Sequence, residues 1–224
     1  MKPRLLDLFS GAGGSARGYQ QAGFHVTGVD LAPQPRYAGD EFIQADALTF
    51  DLAGFDAIHA SPPCQAYTQL SNGKHPRLIE PVRERLEATD VPWVIENVVG
   101  APLVRPVLLC GSMFGLHVRR HRLFEGDVPA LVPQCNHTLQ REVRAYYGNQ
   151  GWLVWAGRER QILRGSVEQA PRDMGIDWMT WAELREAIPP AYTHFIGTAL
   201  AQVIDNARKG RGFPCSDSLS HCCS

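Results

Sequence analysis

The stretch DLFSGAGGSARG, residues 7–18, restricts this chain more than any other. An apolar run, RLLDLF (4–9), meets three glycines, Gly11, Gly13 and Gly14, and then an amphipathic segment. Glycine lets the backbone turn sharply and lets a ligand come close to the main chain. A strand that leaves through such a turn into a helix opens an α/β sheet whose ligands sit at strand carboxyl ends. The rhythm continues. HVTGVD (25–30), FIQAD (42–46), FDAIHAS (55–61) and PWVIENV (92–98) read as strands, and RRHRLFEGD (119–127) adds a further one. GSARGYQQAG and HPRLIEPVRERLEA (75–88) read as helices, with Gly23 as a C-cap and Pro81 as a start or kink. Such alternation predicts a Rossmann-like parallel sheet with helices on both faces.

After Asp127 the rhythm fails, and Pro, Gly, aromatics and arginines mix without a period. Residues 125–178 are therefore read as a small inserted lobe. TWAELREAI and AYTHFIGTALAQVIDNAR return to ordered structure. The main domain then comprises 1–124 and 179–209, and the Gly/Ser/Cys-rich stretch 210–224 reads as a disordered tail.

Composition sets outer bounds. The 224 residues carry a net charge of -1, with 44% hydrophobic and 20% charged residues, as in an ordinary globular protein. A nucleic-acid surface must then be a local patch. The start lacks the apolar core of a signal peptide, and no run approaches the ~18 apolar residues of a membrane span. Six cysteines, three of them among the last ten residues, do not resemble a secreted disulfide framework. A reducing cytoplasm and a monomer are expected.

Four features carry chemistry. Asp30 ends the second strand about 20 residues past the glycine turn, where an acid can bind ribose hydroxyls. Asp46, ending the third, can accept from an adenine amino group; helix capping is the structural alternative for both. In SPPCQ, Pro62 and Pro63 stop the sheet ladder and hold Cys64 rigidly beyond a strand end. A lone cysteine is more often a packing residue. Yet Glu96, in IENV, follows by about one βαβ step. A thiol beside a carboxyl that can stay protonated suits attack on an electron-poor ring. Lastly, HVRRHRLFE gathers Arg119, Arg120 and Arg122 with His117 and His121. On a strand, Arg120 and Arg122 share one face, where they can bind a base carbonyl, a phosphate or a carboxylate. A solvated edge strand is the alternative.

DLFSGAGG, SPPCQ, ENV and the RxR of RRHRLFE, in this order, resemble the motifs of cytosine-5 DNA methyltransferases of the short bacterial or phage type. The match covers most of 4–124 and resumes at FIGTALA (195–201). The resemblance implies an S-adenosylmethionine-dependent methyltransferase sheet with a target-recognition lobe. Cys64 would attack C6 of a flipped cytosine, Glu96 would hold the N3 edge, and Arg120 with Arg122 would bind O2. Phe9, Gly11, Gly13, Gly14, Asp30, Leu31, Asp46, Pro63 and Thr198 would contact the cofactor. Pro63 and Gln65 would support the flipped base, and Asn97 would orient the loop carrying Glu96. Double-stranded DNA is the implied partner, with Arg119, Arg141, Arg144, Arg158 and Arg160 as contacts. A cognate restriction endonuclease is left open. Val118 stands where the family has Gln, Thr198 where it has Asn, and the recognition region is short. The same scaffold acting on RNA or transferring another group, and a silent DNA-binding relative, are the rival readings. Cys110, His121, Cys135 and His137 have the residue types of a zinc site. Cys-x-His without a second close pair departs from usual zinc spacings, so no metal is expected.

Overall fold

In the computed structural model, the described residues are 1–67, 75–129, 131–138, 140, 142–146, 152–155, 158–161 and 163–210, with backbone only for 152–161 and Gly210. Seven strands form the main sheet: β1 (Arg4–Leu8), β2 (His25–Asp30), β3 (Glu41–Gln44), β4 (Ala57–Ala60), β5 (Trp93–Asn97), β6 (Val107–Leu109) and β7 (Arg122–Gly126). Their order is β3-β2-β1-β4-β5-β7-β6. β1 to β5 are mutually parallel, and β7 runs antiparallel to both neighbours. Strand order reverses between β1 and β4, the position where open α/β sheets bind ligands.

Alternation along the strands builds two cores. Leu5, Val26, Ala57 and Val94 face α1 (Gly14–Gln21) and the long C-terminal helix, in a cluster with Tyr19, Tyr192, Ile196 and Leu200. Leu6, Leu8, Val29, Ile58, Ala60 and Ile95 face α2 (Ile79–Glu87), whose Val82 and Leu86 complete the other side. Each fully buried Leu or Ile contributes about 1.5–3 kcal/mol of transfer free energy. Pro81 lies in the first turn of α2, where its missing N–H costs nothing.

Beyond Gly126 no helix or strand forms among the described residues until β8 (Arg144–Ala145). β9 (Trp152–Trp155) and β10 (Arg158–Gln161) pair as an antiparallel hairpin, and β11 (Leu163–Arg164) runs parallel to β8. α3 (Ala170–Met174) and α4 (Trp181–Glu186) follow, and then α5 (Pro190–Gly210). α4 begins with a Thr180–Glu183 capping box. Tyr146, Ala170, Met174 and Ile176 pack with Ala12 of the glycine turn and with Val118. The segment read as a lobe thus packs in a third cluster against the glycine turn and the residue stretch before β7, and its expected start at 125 falls inside β7. No helix among the described residues is long and apolar enough to cross a membrane. The expected disordered tail lies outside the described residues, apart from Gly210.

Candidate active site

The site grows from β4 and β5. Their last paired residues are Ala60 and Ile95, and one step further lie Ser61 and Glu96. The Ser61 hydroxyl donates to the Glu96 carboxylate. Past Ser61, Pro62 is buried and Pro63 exposed, and Cys64 opens a short 3-10 helix, Cys64–Tyr67. Asn97 locks this exit: its side-chain N–H donates to the Pro62 carbonyl at 2.8 Å, and its Oδ1 accepts from Val98 N–H at 2.9 Å. Asn97 thus ties the loop of Cys64 to the chain that leaves Glu96.

Arg122 Nε stands 2.9 Å from Glu96 Oε1, both side chains nearly buried. That oxygen accepts no hydrogen bond among the described residues, so the apposition is Coulombic and leaves its lone pairs for another donor. Burial pushes the Glu96 carboxyl up, against the pull of Arg122 and Arg120. Burial also raises the half-buried Cys64 thiol, opposed by Arg122 and reinforced by Glu96 and Glu186. These influences place thiol, carboxyl and guanidinium in one electrostatic neighbourhood.

Arg120 departs from expectation. It precedes the strand rather than lying in it, because its φ of 39° is left-handed and cannot continue an extended ladder. Its guanidinium reaches inward and donates to the Arg185 carbonyl at 2.6 Å. Arg120 and Arg122 therefore do not present one strand face, although both act on Glu96. Tyr192 Oη donates to the Arg119 and Arg120 carbonyls, at 3.1 and 2.9 Å, and fixes the turn.

A buried polar chain stands behind Glu96. Tyr19 Oη lies 2.9 Å from His59 Nδ1, and His59 Nε2 lies 2.8 Å from Ser61 Oγ. Burial pushes the imidazole down to about 3, so the ring is neutral. With Tyr19 donating to Nδ1, Nε2 carries the proton and donates to Ser61, whose own proton then goes to ionised Glu96. In the sequence, a histidine within the buried run AIHA is the one signal of this chain.

The glycine turn is read differently from its three glycines. A Cβ on Gly13, at φ 80°, would stand 2.8 Å from Ala38 N, and one on Gly14 would stand 2.5 Å from the Ile188 carbonyl. Both glycines admit the chain's own backbone rather than a ligand. At Gly11 a Cβ would meet nothing within 4 Å, so the open face of the turn is there. Phe9 beside it is left-handed at φ 59°, a conformation that costs a bulky residue about 1–3 kcal/mol. Asp30 accepts from Gly11 N–H at 2.9 Å and from Ala32 N–H at 3.0 Å, and each oxygen keeps a lone pair. Leu31 is 73% exposed beside it. Exposed Asp46 accepts from Leu48 N–H at 2.8 Å within a turn and caps no helix. Beneath the turn, Asp7 is fully buried and pushed by burial up to about 7, with Ser15 Oγ donating at 2.6 Å. Gly11, Asp30 and Leu31 form an open edge that fits a nucleoside: a bare backbone, a hydroxyl acceptor and an apolar surface.

Thr198 does not join this edge. It is exposed midway along α5, and its hydroxyl donates to the His194 carbonyl at 2.8 Å. The helix instead meets the turn through Thr193, whose hydroxyl donates to Ser15 O at 2.9 Å, about 140° around the helix from Thr198. Arg144 is likewise committed elsewhere: its Nη1 lies 3.3 Å from fully buried Asp173 and 3.3 Å from Glu142. A guanidinium held in an internal pair is a poor phosphate contact. Gln65 and Pro63 are exposed beside Cys64, and half-buried Arg119 adjoins the arginine turn. Arg141, and the side chains of Arg158 and Arg160, lie outside the described residues.

No protein-family model matches the chain, and no curated protein matches it. Solved structures do. A prophage-encoded E. coli protein described as a DNA modification methyltransferase superposes with a TM-score of 0.60 at 13% identity, over 91% of this chain and 99% of that one. The Schizosaccharomyces pombe Dnmt2 methyltransferase gives 0.58 at 14% identity, with the same shares covered. The Entamoeba histolytica methyltransferase EhMeth gives 0.58 at 11%, again over 91% and 99%. At these identities the likeness is one of fold: the chain has the Rossmann-like sheet of the methyltransferases.

Proposed function

We propose that this protein is a DNA (cytosine-5-)-methyltransferase that uses S-adenosylmethionine. The observation that carries the reading is the meeting of Cys64 with the buried Glu96–Arg122 pair at the ends of neighbouring strands. Glu96 keeps an unfilled buried oxygen, as a carboxyl awaiting a ring N–H or N would. The cofactor residues are Phe9, Gly11, Asp30 and Leu31, which fit an adenosyl group. When bound there, S-adenosylmethionine supplies an activated methyl group.

The protein's own residues prepare the pyrimidine. Cytosine C5 is a poor nucleophile while the ring is aromatic. Cys64 Sγ bonds to C6, and the displaced ring electrons make C5 enamine-like. Glu96 holds the N3 edge, and its raised pKa lets it share a proton there. Arg122 balances the charge, and the Tyr19–His59–Ser61 chain fixes the carboxyl's orientation. After C5 is substituted, loss of its proton to a base returns the electrons and expels the thiolate. A stacked base cannot reach Cys64, so the target must be flipped from the duplex. Exposed Pro63 and Gln65 flank the nucleophile and support that base.

Trapping tests the proposal. Duplex DNA carrying 5-fluorocytosine at the target position, incubated with S-adenosylmethionine, should yield a denaturant-stable adduct with wild type and none with Cys64→Ser. Absence of an adduct from folded wild type that binds S-adenosylmethionine would refute the covalent step. Preferential methylation of RNA would favour the rival substrate.

A further inference from the structure

We propose that Cys110, His121, Cys135 and His137 form a structural zinc site. One donor atom from each lies within 4.8 Å of all the others. His137 Nε2 is 2.8 Å from Cys135 Sγ and 3.3 Å from Cys110 Sγ, and His121 Nε2 is 3.4 Å from Cys135 Sγ. With Zn–S of about 2.3 Å and Zn–N of about 2.0 Å, a tetrahedron has S···N edges of about 3.5 Å. The cluster therefore needs small side-chain shifts to close on an ion. Two thiolates and two imidazoles are a common zinc donor set, and four protein ligands make a closed, structural site rather than a catalytic one. The hydroxyl of Ser112 donates to Cys110 Sγ at 3.2 Å and accepts from Asn136 N–H at 3.2 Å, a supporting bond of the kind that orients metal ligands.

The placement explains why a metal is useful here. Cys110 follows β6, and His121 immediately precedes β7, between Arg120 and Arg122. Cys135 and His137 come from the stretch between Gly126 and Arg144, which has no helix or strand among its described residues. A connection this long without secondary structure is uncommon unless something fastens it. Zinc would pin it to the sheet edge and hold from behind the turn that aims Arg122 at Glu96. Sequence spacing concealed the site, because Cys110 and His121 contribute singly and only the fold brings them to Cys-x-His.

Full-length protein, produced in a reducing cytosol with zinc and freed of loosely bound metal, should carry about one zinc per chain. Exchange for Co(II) should give the visible bands of a tetrahedral thiolate site. Cys135→Ser and His137→Ala should lose the metal, and His137→Cys should keep it as a Cys3His site. Because Cys135 is exposed, its replacement tests binding without disturbing the core. A strong chelator should lower the melting temperature of wild type by about 5 °C or more and leave Cys135→Ser unchanged. Replacing Cys215, Cys222 and Cys223 by serine should retain the zinc. Wild type with less than about a tenth of an equivalent, equal zinc in wild type and Cys135→Ser, loss of zinc with the three C-terminal cysteines, or a Cys110–Cys135 disulfide would each overturn the assignment.

Discussion

Replacing Arg122 by methionine removes the counter-charge 2.9 Å from Glu96 while keeping most of the side-chain volume. The side chains are 15% and 8% exposed, so little water can compensate. Stranding a buried ionised partner costs about 3–5 kcal/mol. Glu96 can escape by taking a proton, and this caps the cost. Protonating a carboxyl of ordinary pKa 4.5 at pH 7 costs about 3.4 kcal/mol, at 1.36 kcal/mol per unit. Arg120 still acts on the carboxyl, so the expected loss is about 2–3 kcal/mol at pH 7, a fall in melting temperature of roughly 5–10 °C. The loss must depend on pH. Glu96 already holds its proton more tightly folded than unfolded, so its contribution is fully present below the ordinary value and is lost as pH rises through the folded value. Arg122→Met raises the folded value further. Urea unfolding should therefore show a small difference between variant and wild type near pH 4.5 and a large one near pH 7–8. Adding Glu96→Gln should recover most of it. A pH-independent loss, or no rescue by Glu96→Gln, would refute the reasoning and show that Arg122 acts by packing alone.

Three further outcomes follow from the same geometry. Cys64→Ser should abolish the 5-fluorocytosine adduct while leaving the melting temperature within about 2 °C, since Cys64 is only half-buried and opens a short 3-10 helix with no buried residue; a large drop would assign Cys64 a structural role. Because burial raises the Cys64 thiol, its alkylation by iodoacetamide should climb about tenfold per pH unit and level off only above the ordinary cysteine value, and Arg122→Met should move that plateau higher; a plateau near neutrality would contradict the site electrostatics. Arg144→Ala should cost about 1–3 kcal/mol in urea unfolding, because buried Asp173 loses one guanidinium but keeps Tyr146 Oη and Arg172, with DNA affinity of the folded fraction unchanged; weakened binding without destabilisation would restore Arg144 as a phosphate contact.

The sequence was most informative where local chemistry and topology agree. Buried runs such as RLLDL and AIHA, ending in turn residues, mark strands of a parallel sheet, and Cys64 and Glu96 fall at the ends of adjacent ones. It was least informative where long-range packing assigns the task. Gly13 and Gly14 read as ligand-facing, but Ala38 and Ile188 come from elsewhere to fill that space. Arg120 read as a strand residue, yet its left-handed backbone turns it onto Arg185. Thr198 fits a motif position while its helical phase points it away from the turn. Arg144 looks like a free cation until buried Asp173 is placed beside it. His59 was visible as an odd residue in an apolar strand, and Ser61 follows it by two residues, but only the packing of α1 on the sheet brings Tyr19 to it.

Nucleoside mass spectrometry tests most directly whether the thiol of Cys64 bonds to cytosine in DNA. DNA and RNA from a host lacking other cytosine methylation, expressing wild type or Cys64→Ser, would be digested and quantified. The predicted result is 5-methylcytosine in DNA with wild type and background with Cys64→Ser. Equal levels in the two strains, or methylation of RNA alone, would contradict it.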